Sequence, residues 1–411
     1  MFQDLLNRAK AAWQIAAKSR ALKWLQQRLL HLVQLLHLSP VQSAPNSGAD
    51  SPPVRVHEPQ NSLSTNVTAA TVAVAERVNE RAQTLKEATP APGDRLAPAR
   101  WLEGIAKNGK GRMLPWVLIP PERRYRLYIP EGISDGQPHA RPRAMVVMIH
   151  GCRQDAETFA EATRMNALAD RDGFVVLYPD QSDLANLHRC WNWFEPQTLA
   201  GQGETAILLT MIGLAAKRAN VDTANILIAG LSSGGAMAAL LAYLHPEQFA
   251  RVVVHSGLAP FSANSIPNAL AAMRDGPTLD MAALTRQYWR THQLPPPPLL
   301  IIQGDADVTV SPANADVLLE LWASLNQAES PAPLVRAESN TPETELNRAF
   351  RTTRLHAQDS RNTVAEQVNI VGLAHAWSGG NAAHPFNDAM GPDASGMIAA
   401  FLTSDQAPQM S

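Results

Sequence analysis

A short segment near the middle of the chain constrains the fold most, because it joins a strand pattern, a tight turn and a helix pattern. Residues 226–229 form an apolar run that is typical of a buried parallel strand. The sequence Gly-Leu-Ser-Ser-Gly at 230–234 follows, and good helix formers then occupy 236–242, before Pro246. This order predicts a turn that exposes Ser232 as a nucleophile. A glycine-rich turn without chemistry is the alternative interpretation.

The expected turn would also stabilise negative charge beside Ser232. Glycines on both sides let the strand and helix backbones approach closely, and the helix directs its positive end at the serine. The backbone N–H of Ser233 is therefore predicted as one donor of an oxyanion hole. The second donor is expected from the loop after an earlier strand, at Cys152 or Arg153.

The rest of the region 99–405 alternates between strand and helix patterns. Strands are predicted at 124–129, 144–149, 174–178, 226–229, 251–254, 299–302 and 368–371. Helices are predicted at 158–171 and 204–217, with further helices between the later strands. This alternation predicts an α/β domain with a mainly parallel sheet covered on both faces. Functional loops of such a sheet lie at the carboxyl ends of its strands.

Candidate partners for the serine lie in two of those loops. A serine hydroxyl needs a base, usually a histidine that is held by a carboxylate. We predict His375 as the base, with His356 and His384 as competitors. Asp307 is favoured as the acid because it lies farther into its loop, whereas Asp305 is expected to bond backbone N–H groups. The order serine, aspartate, histidine is that of an α/β-hydrolase.

The two cysteines and three tryptophans carry further expectations. Cys152 and Cys190 form either one disulfide, which would hold the oxyanion loop and imply an oxidising compartment, or two buried thiols. Trp191 and Trp193 follow Cys190 and are expected, with Trp377, to line the substrate cleft. Packing in the core is the alternative for the tryptophan pair beside Cys190.

Composition excludes several other classes of function. Lysine and arginine number 35 against 37 acidic residues, and this net charge of −2 gives no reason to expect a nucleic-acid partner. The sequence has no phosphate-binding glycine motif and no cysteine–histidine cluster with metal-ligand spacing, so neither a metal nor an organic cofactor is implied. No window of about eighteen apolar residues predicts a membrane-spanning helix.

The first 98 residues differ in character from the rest. Residues 1–38 predict a basic amphipathic helix, which either lies at a polymer-granule or membrane surface or packs on protein. Residues 39–98 are rich in proline, serine and alanine and predict a linker. The N-terminus is a poor signal peptide, although cleavage near residues 43–44 stays open. Residues 327–361 are polar and are predicted as a solvated loop rather than a border of the cleft.

An ordered set of motifs resembles the esterase family of polyhydroxybutyrate (PHB) depolymerases. The match extends from about residue 125 to 401. Its motifs are His150-Gly-Cys-Arg-Gln154, Met165-Asn-Ala-Leu-Ala169, Leu177-Tyr-Pro179, Cys190-Trp-Asn-Trp-Phe194, Gly230-Leu-Ser-Ser-Gly-Gly235, His255-Ser-Gly-Leu258, Gly304-Asp-Ala-Asp307, Gly372-Leu-Ala-His-Ala-Trp-Ser-Gly-Gly380 and Gly391-Pro-Asp-Ala394.

This resemblance implies an α/β-hydrolase fold and a serine esterase. It assigns Ser232 as nucleophile, Asp307 as acid and His375 as base, with an oxyanion donor in the loop that begins at Cys152. Family members hydrolyse short-chain hydroxyalkanoate polyesters, and their relatives include feruloyl and acetylxylan esterases. The implied partner is a polyester or small ester, and the implied location is outside the cell. A cytoplasmic, granule-associated protein is the alternative, and the oligomeric state stays open.

Overall fold

The structure is a computed structural model, and it describes residues 99–108, 112–114, 117–119, 121–130, 142–328, 333–358 and 363–404. Only the backbone is described at 112–114 and 117–119. The predicted helix at 1–38 and linker at 39–98 lie outside these residues, and the domain boundaries stay predictions. Among the described residues, no helix has the length and apolar character needed to cross a membrane.

The described residues form fourteen strands. They are β1 (Arg100–Lys107), β2 (Arg112–Leu114), β3 (Val117–Ile119), β4 (Glu122–Ile129), β5 (Arg143–Ile149), β6 (Val175–Pro179), β7 (Val221–Leu231), β8 (Arg251–His255), β9 (Leu299–Gly304), β10 (Leu334–Thr341), β11 (Phe350–Ala357), β12 (Thr363–Ile370), β13 (Trp377–Ser378) and β14 (Asn387–Asp388).

They also form nine α-helices and one short 3-10 helix at Pro246–Gln248. The α-helices are α1 (Ala156–Thr163), α2 (Met165–Asp172), α3 (Pro196–Leu199), α4 (Gly203–Arg218), α5 (Ser233–Leu244), α6 (Ile266–Asp275), α7 (Met281–His292), α8 (Ala313–Gln327) and α9 (Ala394–Thr403).

Ten strands make one sheet in the order β1-β4-β6-β5-β7-β8-β9-β12-β11-β10. Strands β6, β5, β7, β8, β9 and β12 are mutually parallel. The pairs β1–β4 and β10–β11 flank them on opposite sides and join the sheet by antiparallel pairing. Parallel neighbours need crossover connections, and the helices supply them. The predicted mainly parallel sheet is therefore confirmed.

Both faces of this sheet are buried, as the side chains of β5 illustrate. Met145 and Val147 pack in one core cluster, together with residues of α4, α5, α7 and α8. Val146 and Met148 pack in the other, together with residues of α1, α2 and α9. Successive side chains of a strand point to opposite faces, so an uninterrupted apolar run is what a doubly covered strand requires.

The helix predicted at 158–171 is in fact two helices, and the prediction of a single helix is wrong. Helix α1 ends and α2 begins around Arg164, which has a left-handed backbone with φ of 55°. The guanidinium of Arg164 donates hydrogen bonds to the carbonyls of Gly379 and Gly380, at 3.0 and 2.8 Å. The break thus lets Arg164 hold a loop that follows His375.

The loop predicted within 327–361 is wrong at 334–341 and 350–357, where the strands β10 and β11 form, whereas the predicted exposure is confirmed for β10. Nearly every residue of β10 is exposed, and β10 is the outermost strand of the sheet. The turn before β11 contacts the segment beyond His375. There Arg348 forms an ion pair with Asp388 at 2.7 Å and donates its backbone N–H to Gly391 at 2.9 Å.

Candidate active site

Ser232 occupies a strained turn between β7 and α5. Its backbone has φ of 56° and ψ of −118°, a conformation that side-chain-bearing residues rarely adopt. The N–H of Ser232 donates to the carbonyl of His255 at 2.9 Å, which holds the turn against β8. A side chain at Gly230 would collide with the backbone of Gly234, and one at Gly234 would collide with the carbonyl of Ile149. The two glycines are therefore needed for the turn to pack against the neighbouring strand.

His375 and Asp307 form a hydrogen-bonded pair at the carboxyl ends of β12 and β9. The distance between Nδ1 of His375 and Oδ2 of Asp307 is 2.7 Å. Because a carboxylate accepts, Nδ1 carries the proton, and Nε2 is the ring nitrogen left to act as a base.

The protein stabilises the ionised form of Asp307. Its other carboxylate oxygen accepts the N–H groups of Thr309 and Val310 at 2.9 and 2.8 Å. Burial raises the pKa of Asp307, but the hydrogen bond and charge of His375, with the two N–H donors, outweigh burial and lower the pKa below its usual value. Asp307 is therefore a charged partner that can orient and stabilise a protonated His375.

The competing residues have other partners. Asp305 accepts the backbone N–H of Gly372 at 2.6 Å, which is the backbone role expected for it. His384 lies 3.3 Å from Glu161 of α1. His356 lies on β11, where its Nδ1 is 3.3 Å from the carbonyl of Ala357. Of these histidines, His375 is the one bonded to Asp307.

The loop after β5 lies beside Ser232. A side chain built on Gly151 would bring its Cβ to 3.5 Å from Cβ of Ser232. Cys152 follows and is joined to Cys190 by a disulfide, while Arg153 donates its N–H to the carbonyl of His188 at 2.7 Å. These two links fasten the loop to the segment 188–190.

The N–H groups of Cys152 and Ser233 are the two backbone donors expected to form the oxyanion hole. Within the described residues, neither the N–H of Cys152 nor that of Ser233 donates to a protein acceptor. The N–H of Ser233 belongs to the first residue of α5, where a helix has unpaired donors and the positive end of its dipole. Two such donors beside a serine are suited to a carbonyl oxygen that becomes negatively charged.

A buried polar network surrounds Glu204 near the oxyanion loop, and sequence reasoning missed it. Glu204 accepts hydrogen bonds from the backbone and side-chain N–H groups of Asn192 at 2.6 and 2.9 Å. It also accepts from Gln181 at 2.6 Å and lies 3.6 Å from the guanidinium of Arg123. Burial raises the pKa of Glu204, while the donors and the guanidinium counteract part of the rise. No sequence motif marks Glu204, because its partners come from three separate segments.

His150 connects this network to the oxyanion loop. Its Nδ1 lies 2.7 Å from the carbonyl of Gly151, and its Nε2 accepts the N–H of Gln181 at 3.1 Å. Burial lowers the pKa of His150 to about 4, so the ring is neutral near pH 7. Its environment suits a structural hydrogen-bonding role.

The tryptophans expected to line the cleft are buried, and that expectation is corrected. The exposed fractions of Trp191, Trp193 and Trp377 are 0%, 5% and 0%. The ring of Trp377 packs edge-on against Phe159 with centroids 5.4 Å apart, and its indole N–H donates to Ser395 at 3.1 Å. All three side chains belong to the core clusters, Trp191 and Trp193 on one face of the sheet and Trp377 on the other.

The strand order, the strained serine turn and the aspartate–histidine pair are those of the α/β-hydrolase class. The acetyl xylan esterase structure from Aspergillus awamori is similar to this chain, with a TM-score of 0.50 and 23% sequence identity, covering 62% of this chain and 89% of that one. This likeness shows the fold. Residues 123–344 match the family model described as esterase PHB depolymerase, and the chain belongs to that family.

Two curated relatives represent different activities. The poly(3-hydroxyalkanoate) depolymerase C of Paucimonas lemoignei is 32% identical over 196 residues, which are 47% of this chain and 47% of that protein. The feruloyl esterase B of Neurospora crassa is 26% identical over 223 residues, which are 51% of this chain and 72% of that protein. The chain thus spans about half the length of the depolymerase.

Proposed function

We propose that the protein is a serine ester hydrolase that acts through a covalent acyl-enzyme. Oγ of Ser232 attacks the ester carbonyl while Nε2 of His375 takes the hydroxyl proton. The tetrahedral intermediate collapses, the C–O bond to the leaving alcohol breaks, and His375 gives the proton to that oxygen. Water, deprotonated by His375, then attacks the acyl-enzyme and releases the acid and Ser232. The observation that supports this proposal is the part-buried 2.7 Å hydrogen bond between Asp307 and His375, on the sheet edge that carries the strained serine.

The oxyanion hole of this mechanism consists of the N–H groups of Cys152 and Ser233. Both would donate to the substrate oxygen as it gains negative charge, and each such donor is worth about 3 kcal/mol of transition-state stabilisation. The disulfide to Cys190 and the hydrogen bond from Arg153 hold the first donor in place before substrate arrives. Preorganised donors avoid the cost of reorienting dipoles during the reaction.

We propose short-chain hydroxyalkanoate esters, as in poly- or oligo-3-hydroxybutyrate, as the substrate class. The family match and the 32% identity to a poly(3-hydroxyalkanoate) depolymerase support this choice. Feruloyl or acetyl esters of carbohydrates are the alternative, which the relatives and the structural neighbour support. A 3-hydroxybutyrate trimer should be hydrolysed with a higher kcat/KM than methyl ferulate or an acetylated xylo-oligosaccharide, measured side by side. The reverse ranking would favour the carbohydrate esterase.

We also propose that the protein acts in an oxidising compartment, such as the exterior of the cell. The support is the Cys152–Cys190 disulfide, because reducing compartments keep such thiols free. Counting thiols in protein isolated from the native host under rapid alkylation tests this: no free thiol is expected. Two free thiols would favour the cytoplasmic, granule-associated alternative.

A further inference from the structure

His255 lies at the end of β8, between the two segments that carry the nucleophile and the base. Its backbone carbonyl accepts the N–H of Ser232 at 2.9 Å. Its ring Nε2 accepts the backbone N–H of Ser378 at 3.2 Å. Ser378 lies three residues beyond His375, in β13. One residue therefore bonds directly to the catalytic serine through its backbone and to the segment that follows the catalytic histidine through its side chain.

The ring of His255 is held on several sides. It is fully buried and stacks on the indole of Trp377, with centroids 5.0 Å apart and 24° between the planes. Its Nδ1 lies 3.2 Å from Oγ of Ser256. Since Nε2 accepts the Ser378 N–H, the ring proton of the neutral form is on Nδ1, which donates to Ser256.

The ring keeps this hydrogen-bonding form across the working range of an enzyme. Burial and, second, the nearby charge of His375 lower the pKa of His255 to about 3, although Asp307 acts in the opposite direction. A protonated ring could not accept the N–H of Ser378. The neutral ring is thus a fixed acceptor, whereas the base of the proposed mechanism must gain and lose a proton in every cycle.

We propose that His255 is a positioning residue that keeps His375 in register with Ser232. This inference rests on the proposed esterase mechanism. An ordinary core histidine would also be buried and hydrogen-bonded, but both bonds of His255 end on the segments that must stay aligned for proton transfer. Without the ring acceptor, the buried N–H of Ser378 loses this hydrogen bond, and the segment that follows His375 loses its link to β8.

The decisive comparison is between His255→Gln and His255→Met. The two side chains have similar length and shape, but only glutamine offers an oxygen to the N–H of Ser378. We expect His255→Met to lower kcat on p-nitrophenyl butyrate by about 100-fold, the effect of a misplacement of about 1 Å, with KM little changed. We expect kcat of His255→Gln to be about tenfold higher than kcat of His255→Met, because one hydrogen bond is worth about that factor.

His245 supplies the matched control. It is a partly buried histidine at the far end of α5, and burial also lowers its pKa. His245→Gln and His245→Met are expected to have the same kcat as each other and as the wild type. Equal kcat in His255→Gln and His255→Met would overturn the inference, as would losses that match the fraction of unfolded protein by circular dichroism.

A spectroscopic readout makes the test independent of turnover. The proton shared by His375 and Asp307 should give a low-field proton NMR resonance, which His255→Gln keeps and His255→Met shifts or broadens. If His255→Met does not fold, Ser256→Ala decides the matter. It removes the acceptor of Nδ1 and should lower kcat about fivefold, within the value of a single hydrogen bond, and an unchanged kcat would overturn the inference.

Failure of the proposed esterase function would give different experimental results from failure of the positioning inference. If wild-type protein has no turnover that depends on Ser232, the esterase mechanism fails. The NMR comparison then still decides whether His255 aligns the loop of His375. If Ser232-dependent turnover is present and His255→Met behaves as wild type in both readouts, the positioning inference alone fails.

Discussion

The carboxylate of Asp307 is buried, but it accepts hydrogen bonds from His375, Thr309 and Val310. These hydrogen bonds favour the ionised form of the carboxylate, which is the form that the proposed acid needs. In Asp307→Asn the amide cannot reproduce an acceptor-only partner for Nδ1 of His375, so the ring loses its orientation and the stabilisation of its charged form. We expect kcat to fall by about 10⁴-fold while the fold is retained. Asp305→Asn is the matched control and should cost less than about tenfold, because within the described residues that carboxylate bonds the Gly372 backbone. Similar losses in both variants would contradict the assignment of the acid.

The lowered pKa of Asp307 also predicts a pH dependence of stability. A carboxyl whose folded-state pKa lies below its unfolded value of about 3.9 adds stability that is complete above about pH 5 and is lost as pH falls through the folded-state pKa. Urea unfolding of wild type and Asp307→Asn should therefore show a difference in unfolding free energy that narrows between pH 6 and about pH 3. A difference independent of pH would indicate that Asp307 is not ionised in the folded protein.

Residue type, position in the loops and chain order were enough to predict the aspartate–histidine pair, because Asp307 and His375 follow strands and come after Ser232 in the order of an α/β-hydrolase. They could not reveal Glu204, whose partners are Gln181, Asn192 and Arg123, because its role depends on distances between segments far apart in sequence. The burial of Trp191 beside a reactive loop was unpredictable for the same reason, since a tryptophan next to a cleft and one beneath it have the same neighbours in sequence.

At the scale of elements, the disulfide joins the oxyanion loop to the loop after β6. Its cysteines are 38 residues apart, and a cross-link over such a span stabilises the folded chain by about 3–4 kcal/mol in the loop-entropy account. We expect Cys190→Ser to lower the unfolding free energy by about that amount. We also expect kcat/KM to fall by about tenfold or more, because the N–H of Cys152 loses its support.

The control for this experiment is reduction of the wild type by dithiothreitol, which should reproduce both losses and restore them on reoxidation. Reduced wild type with unchanged stability and unchanged turnover would show that the Arg153–His188 hydrogen bond alone holds the loop.

The elements that were predicted poorly from the sequence are those whose structure depends on tertiary contacts rather than on local sequence propensity. Strand β10 has water on both faces, so its sequence lacks the apolar alternation that marks a half-buried strand. The break between α1 and α2 depends on a long-range bond from Arg164 to the loop beyond His375, which no local pattern encodes. The buried strands β5, β7, β8 and β9 were predictable because their apolar runs are continuous.

At the scale of the whole molecule, the alternation of strands and helices was sufficient to predict the mainly parallel sheet and the edge on which its functional loops meet. The antiparallel pairs β1–β4 and β10–β11 that flank this sheet were harder to predict, because tertiary contacts decide which strands pair. The basic helix predicted at 1–38 lies outside the described residues.

If residues 1–38 bind a polymer or membrane surface, deleting them should separate binding from chemistry. The full chain should sediment with PHB granules or with vesicles that contain anionic lipid, because basic amphipathic helices bind such surfaces. A variant without residues 1–38 should remain in the supernatant and keep its rate on p-nitrophenyl butyrate. Equal sedimentation of the two proteins would exclude this surface role.

The central claim, a serine esterase built on Ser232, is tested most directly by initial rates on p-nitrophenyl esters of increasing acyl length. Wild type should hydrolyse the short-chain esters, and Ser232→Ala should lower kcat by about 10⁶-fold while its circular dichroism spectrum stays that of the wild type. Ester turnover that persists in a folded Ser232→Ala protein, or no turnover by folded wild type, would contradict the account.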